Sequence, residues 1–143
     1  MDLVAQRSIA KPAAAVFEFF ADAANNPKWQ RGMKRCEWTT PRPIAVGSRY
    51  EQVASFLGRA IVSTFEVVEL TPGERIVIAT VESTFPIRVE RAVQSTGSQS
   101  CRVTAEISGG PKVPRIAQRL VRRFAQRSVN GDYDRLVRLL EAA

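Results

Sequence analysis

The sequence predicts an α+β fold: one antiparallel sheet of about seven strands packed against a long C-terminal helix, with two short helices after the first strand. Three observations carry this expectation. Apolar residues recur at every second position in most stretches between Met33 and Ser108, which is the strand period. The stretches are separated by PRPIAVG, Gly58, TPGE, TFP and TGSQ, links so short that neighbouring strands must pair locally as an antiparallel meander. After Gly109-Gly110-Pro111 the period becomes 3.6 for roughly thirty residues, the mark of an amphipathic helix.

Each element follows from its residues. DLVAQRSI, residues 2–9, reads as the first strand, ended by Ala10, Lys11 and Pro12. Pro12 suits the first turn of a helix, where its missing N–H costs little. In PAAAVFEFFAD, Val16, Phe17, Phe19 and Phe20 recur at helical spacing while Glu18 faces away. This helix is expected to stop near Asn25-Asn26-Pro27, because the residue before a proline is driven out of the α region. Strands are expected near 34–40, 48–57, 59–70, 75–83, 86–95 and 100–108, with hairpin turns at Gly58 and Pro72-Gly73. The last strand sets Cys101, Val103, Ala105 and Ile107 on one face and Arg102, Thr104, Glu106 and Ser108 on the other, so one face is wet. In the final helix Val113, Ile116, Ala117, Leu120 and Phe124 share a side expected to face the sheet, roughly opposite Arg115, Arg119, Arg122 and Arg123. Beyond Asn130-Gly131 the apolar set Leu136, Val137, Leu139 and Leu140 leaves that stripe. Gly131 is therefore expected to mark a bend or a close approach of helix to sheet.

Composition narrows the class. With 143 residues, 45% hydrophobic and 24% charged, the chain fits a single domain over residues 1–143 with enough apolar material for a sizeable core. MDLVAQRS lacks the basic start and apolar run of a signal peptide, and no stretch approaches the roughly 20 apolar residues of a membrane span, so a cytoplasmic protein without a transmembrane segment is expected. Cys36 and Cys101 each sit singly in an alternating segment and are expected to be buried free thiols. The net charge of +7 is concentrated at one end: residues 112–143 hold eight Lys/Arg and three Asp/Glu.

The element order, taken with Asp22, Asn25, Pro27 and Trp29 in D-x-x-N-x-P-x-W, with VGSRYEQVASFLGR (46–59), FEVVELTPGERIV (65–77) and CRVTAEI (101–107), resembles the START-like (SRPBCC) superfamily of polyketide cyclases, dehydratases and lipid-transport proteins. The resemblance covers essentially the whole chain. It implies a helix-grip fold, in which the curved sheet grips the last helix and leaves an apolar cavity with access near the short helices. Trp29 would then cap that cavity or line its mouth, unless it closes the core beneath the helix turn.

Strand alternation nominates the remaining lining. Tyr50, Gln52, Ala54 and Phe56 share one face of their strand, Ile61, Ser63, Phe65 and Val67 one face of the next, and Val89, Arg91 and Val93 one face of a later one. The ligand-binding candidates are Trp29, Tyr50, Gln52, Phe56, Phe65, Arg91, Leu120 and Phe124. Gln52 and Arg91 would sit among apolar neighbours, which is costly unless something bonds to them. Arg91 either pairs with Glu82 or Glu51, lies in solvent through a different register, or anchors the carboxylate or phosphate head of an apolar ligand.

The catalytic inventory is thin. The chain has no histidine and no Cys-x-x-Cys, so no metal site and no cofactor are expected, and no group is expected to exchange a proton near pH 7. Asp22, Glu66, Glu69, Glu82 and Glu90 alternate onto faces that read as wet or lie near turns, and Gly109-Gly110-Pro111 does not match a phosphate-binding loop. Catalytic residues stay unassigned. Three readings follow: a carrier or sensor of a small hydrophobic or amphipathic ligand; a polyketide cyclase/dehydratase-like enzyme in which Tyr50 or Arg91 supplies a proton or stabilises an enolate; and an interaction module whose basic C-terminal helix meets an acidic partner or anionic membrane. Nucleic acid is not an expected partner, because the basic stripe carries no aromatic residues for base stacking. The oligomeric state is not legible.

Overall fold

The computed structural model describes residues 2–143. Seven strands, β1 (Asp2–Ile9), β2 (Met33–Trp38), β3 (Arg49–Phe56), β4 (Arg59–Thr71), β5 (Arg75–Glu82), β6 (Ile87–Gly97) and β7 (Ser100–Gly109), form one sheet in the order β1-β7-β6-β5-β4-β3-β2. Every pairing is antiparallel, as the meander predicts. Only β1 departs from local pairing: it crosses to the far edge and zips onto β7 from Asp2 opposite Ser108 to Ile9 opposite Cys101. Register shifts within the β2–β3, β4–β5 and β6–β7 ladders bend the sheet, the usual effect of an extra unpaired residue.

The alternation read from the sequence sets which face is dry. In β7, Cys101, Val103 and Ala105 are buried while Arg102 and Glu106 are exposed. Cys36 and Cys101 are both buried free thiols. The β3–β4 hairpin turns on Leu57 (φ 52°) and Gly58 (φ 77°), two left-handed residues in a two-residue loop that closes Phe56 onto Arg59. That geometry matches the right-handed strand twist, but it asks a leucine to adopt a conformation that glycine or asparagine takes more readily.

Between β1 and β2 the chain forms α1 (Ala13–Ala21), a 3-10 turn (Ala23–Asn25) and α2 (Asn26–Trp29). Helix α1 buries Val16, Phe17 and Phe20, with the two rings edge to face at 5.3 Å, and each such side chain stabilises the fold by roughly 1.5–3 kcal/mol. It ends at Ala21, earlier than expected. Asp22 is extended and accepts a bond from the Ala24 N–H at 3.1 Å, which starts a new turn. Asn26, despite preceding Pro27, is helical (φ −52°, ψ −44°), because Pro27 falls in the first turn of α2 and opens that helix instead of closing one.

Helix α3 (Arg115–Ala142) is continuous through Asn130-Gly131, which corrects the expected interruption. A Cβ on Gly131 would meet nothing closer than the Arg135 guanidinium at 3.8 Å, so no close approach to the sheet requires glycine there. The change of stripe has a different cause. The core side of α3 is marked by Ala125, Tyr133 and Leu136, whereas Leu120 is 72% exposed. Leu120 and Ala125 are five residues apart and project about 140° apart at 100° per residue. The stripe Ile116, Leu120 and Phe124 expected to face the sheet thus looks mostly to solvent, and a second stripe is the buried one. Helix α3 is held along β1 by the bond from Gln126 Nε2 to the Val4 carbonyl (2.9 Å) and the Arg7–Asp134 ion pair (2.7 Å).

Candidate functional site

Two adjoining chambers lie between the inner face of the sheet and α3. The outer one, about 230 Å³, is walled mainly by apolar side chains, among them Phe56, Ile61, Phe85 and Ala125, with Gly109 and Gly110 at its edge. The inner one, about 150 Å³, is enclosed by Asn26, Trp29, Tyr50, Phe65, Arg91 and Tyr133. Gln30, Gln52, Ile87, Ile107, Val129 and Asp132 line both and form the wall between them. Together the chambers reach the lower end of the roughly 300–1,000 Å³ range of small-molecule sites.

The inner chamber is built by packing. Trp29, at the C-terminal end of α2, is 1% exposed and stands edge to face against Tyr133 at 5.0 Å. Its carbonyl accepts a bond from Arg135 Nε at 3.1 Å, so α3 clamps the α2 turn in place. Tyr50 stacks on Phe65 at 5.3 Å, two cross-strand neighbours brought together by the β3–β4 register. Arg91, only 8% exposed, donates from Nε to the Tyr133 hydroxyl at 2.9 Å and places its guanidinium carbon 5.2 Å from the Trp29 ring centroid.

The Arg91 charge has no direct partner in this chamber, because Asp132, the carboxylate that also lines it, is bonded to Arg135 and to the Arg31 N–H instead. Among the described residues no carboxylate lies within ion-pair distance of Arg91. Neither Glu51 nor Glu82 serves it: Glu51 pairs with Arg35 at 3.1 Å on the outer face, and Glu82 makes no ion pair among the described residues. Arginine stays protonated in proteins, so this is a buried cation without a counter-ion. Three further buried polar atoms, Trp29 Nε1, Gln30 Nε2 and Asn26 Oδ1, have no hydrogen-bond partner, and all belong to residues lining the inner chamber. Such orphans are rare in folded proteins. Two N–H donors and a free guanidinium edge together suit an oxygen acceptor carrying negative charge.

Titratable groups near the chambers are shifted by their surroundings. Burial pushes Asp132 above the usual aspartate range and outweighs the Arg31 N–H bond (3.1 Å), the Arg135 contact and the Arg91 charge, which all pull it down. Burial raises the Tyr50 hydroxyl far above its ordinary value despite the nearby Arg91 charge, leaving it a neutral donor. The Cys36 thiol is pushed up to about 12 by burial, only partly opposed by the Asn26 bond and by Arg91, so it is not a nucleophile. Asp22, outside the chambers, is opposed by burial yet ends below the ordinary value, because Trp38 Nε1 (2.8 Å), Ala24 N–H and Arg42 all favour its charged form.

Of the residues nominated from the sequence, the structure brings Trp29, Tyr50, Phe65 and Arg91 to the inner chamber, Phe56 to the outer one and Gln52 to the wall between them. Phe124 lines neither chamber but sits 6.3 Å from Phe56, and Leu120 points to solvent because the buried stripe of α3 is a different one. Sequence reasoning missed Gln30, Asp132 and Tyr133. The signal available for Tyr133 was its spacing of three from Leu136, which puts both on one side of the helix.

The whole chain, residues 1–143, matches the family model described as polyketide cyclase / dehydrase and lipid transport. The chain belongs to this family. No curated protein matches it. Solved structures with the same fold include a protein of Thermus thermophilus (19% identity, TM-score 0.84, covering 100% of this chain and 99% of that one). A START superfamily protein from Mycobacterium smegmatis is also similar (13%, 0.79, 97% and 98%). So is the Zhui aromatase/cyclase from Streptomyces sp. R1128 (14%, 0.75, 96% and 91%). At these identities the likeness speaks for the helix-grip fold and not for an activity. No helix is long and apolar enough to cross a membrane among the described residues.

Proposed function

We propose that this protein is a carrier or sensor that holds one small amphipathic molecule between the sheet and α3. The apolar body occupies the outer chamber, and an oxygen-bearing, negatively charged end reaches Arg91 in the inner one. The observation that supports this reading is the buried guanidinium without a counter-ion at the end of a largely apolar cavity, beside the orphaned Trp29 and Gln30 donors. An anionic ligand would satisfy the charge and the donors together.

The test is displacement of an environment-sensitive apolar dye by a fatty acid or a carboxylated polycyclic aromatic, followed by Trp29 fluorescence in a Trp38→Phe background. Near one-to-one binding with a change in Trp29 emission is the expected result. Absence of binding by any apolar probe would overturn the reading and leave the chambers as packing defects. Native mass spectrometry of the purified protein, searching for a retained small molecule, is the companion measurement.

One observation favours a second reading, an enzyme of the cyclase or dehydratase type. The Asp132 carboxylate lines both chambers with its pKa raised, and in this reading it would accept a proton while Arg91 would stabilise the resulting enolate. Turnover of polyketide-like substrates that disappears in Asp132→Asn with the fold intact would establish it over the carrier.

A further inference from the structure

The first half of α3 presents two features that the cavity does not use. From Ile107 to Gly131 the sequence holds six cations (Lys112, Arg115, Arg119, Arg122, Arg123 and Arg127) and no carboxylate. None of the six has an ion-pair partner among the described residues, although Arg7, Arg35, Arg42, Arg49, Arg75, Arg88 and Arg135 all do. The same stretch carries the displaced stripe. Ile116 is 95% exposed, Leu120 72% and Phe124 50%, one turn apart over roughly 12 Å of helix. Scattered surface leucines need no explanation, but three large apolar side chains on one helical ridge among unpaired cations do.

We propose that this ridge is a docking surface for an anionic lipid bilayer, with Ile116, Leu120 and Phe124 entering the headgroup boundary and Arg119, Arg123 and Arg127 meeting lipid phosphates. At 100° per residue each of these three arginines projects within about 60° of a ridge residue, so Arg119 and Arg123 lie beside the stripe and not opposite it as expected from the sequence. Charge selects the occupant. A second copy of the chain would bring two sets of uncompensated cations together, and a neutral surface would leave them without a counter-ion. Shape favours lipid over an acidic protein: the ridge is convex, so a protein would need a groove fitted to it, whereas a fluid interface takes up any apolar ridge bordered by basic side chains. Leu57, exposed at the tip of the β3–β4 hairpin, adjoins Phe56, whose ring lies 6.3 Å from that of Phe124. The surface thus adjoins the end of the outer chamber at which Phe56 stands, and an apolar ligand could pass between bilayer and cavity by a short path. The proposal stands on residues outside the cavity and does not depend on the ligand reading.

The experiment is vesicle flotation with the full chain, using phosphatidylcholine alone and phosphatidylcholine with about 30% phosphatidylglycerol. Binding is expected only to the anionic vesicles, weakening as ionic strength rises. Arg119→Gln with Arg123→Gln should weaken it about 25-fold, near fivefold for each charge. Ile116→Ser with Leu120→Ser should weaken it at least about tenfold. Both double variants change exposed positions, so thermal melting and dye binding in the cavity should stay at wild-type values and show that the fold is intact. Equal binding to neutral and anionic vesicles, or none to either, would overturn the proposal. So would loss in the arginine variant with none in the Ile116/Leu120 variant, which would leave adsorption by charge alone. Retention on polyglutamate or RNA instead of vesicles would assign the surface to an acidic macromolecule.

Discussion

Replacing Arg91 with methionine separates the energetics of the fold from those of the site. The wild-type side chain is buried with a single hydrogen bond, to the Tyr133 hydroxyl at 2.9 Å, and a cation–π contact with Trp29 at 5.2 Å. A bond from a charged donor contributes about 1.5–3 kcal/mol, and a desolvated cation–π contact about 2 kcal/mol. Against these stands the cost of burying a cation without a counter-ion, still several kcal/mol after relaxation. The terms nearly cancel. Methionine keeps the apolar stem and removes the buried charge, so Arg91→Met should change unfolding free energy in denaturant by no more than about 1–2 kcal/mol, in either direction. Binding should respond very differently. Loss of a charge-assisted bond to a carboxylate costs about 1.5–3 kcal/mol, or roughly tenfold to 150-fold in Kd, while the methyl ester of the same ligand should change less than about threefold. Titration calorimetry with the acid and its ester, beside urea unfolding, gives both numbers. Equal loss for acid and ester, or destabilisation beyond about 3 kcal/mol, would show that Arg91 is part of the framework and refute the anchoring argument.

Other perturbations address the surroundings. Asp132 has a raised pKa and lines both chambers, so its ionised form repels an anionic ligand; affinity for a carboxylate that stays ionised should rise as pH falls through the Asp132 pKa, and Asp132→Asn should flatten that profile in a pH series of titrations. The depressed pKa of Asp22 has the opposite sense for folding. It contributes stability that is fully present above the unfolded aspartate value near 3.9 and is lost as pH falls through the folded value, so Asp22→Asn should be less stable at pH 7 and lose less stability on acidification, read by thermal melts from pH 7 to about pH 3. Leu57→Asn relieves a left-handed leucine in an exposed turn and should stabilise by about 0.5–1 kcal/mol, seen as a higher melting temperature. Gly109→Ala would place a Cβ 2.1 Å from the Pro86 carbonyl oxygen at a φ of 97°, so it should destabilise by more than about 2 kcal/mol and perturb dye binding in the outer chamber.

The sheet was legible because its signals are local: alternation places Val103 and Ala105 inward wherever the strand begins, and Gly58 and Pro72-Gly73 mark their turns without reference to the rest of the chain. Arg91 was legible for the same reason, as a cation in phase with Val89 and Val93. The phase of α3 was not. Ile116, Leu120 and Phe124 make a more hydrophobic stripe than Ala125, Val129 and Tyr133, and periodicity reports that a helix has two faces without saying which one the sheet covers. Asp132 was hidden by its neighbourhood: Gly131-Asp132 and Asp134 carry no apolar signal, and only tertiary contacts, the lining of both chambers and the bond from the Arg31 N–H about a hundred residues earlier, reveal its position. Gln30 was passed over because a glutamine beside Trp29 in a polar turn carries no periodic signal at all.

The crossing of β1 to the far edge sets an order of assembly. Strands β2 to β7 can form by successive hairpins with short loops, but β1 must wait until β7 exists, since Ile9 meets Cys101 and Asp2 meets Ser108. Each doubling of loop length adds only about 0.6 kcal/mol to closure, so the delay is kinetic more than thermodynamic. On the ribosome the first strand made is the last to find its partner. Helix α3 leans on that same strand through Gln126 and Asp134, so the back wall of both chambers arrives with this closing step. Ligand has no chamber to enter before then, and its stabilising effect should appear almost entirely as slower unfolding, leaving the rate of folding untouched.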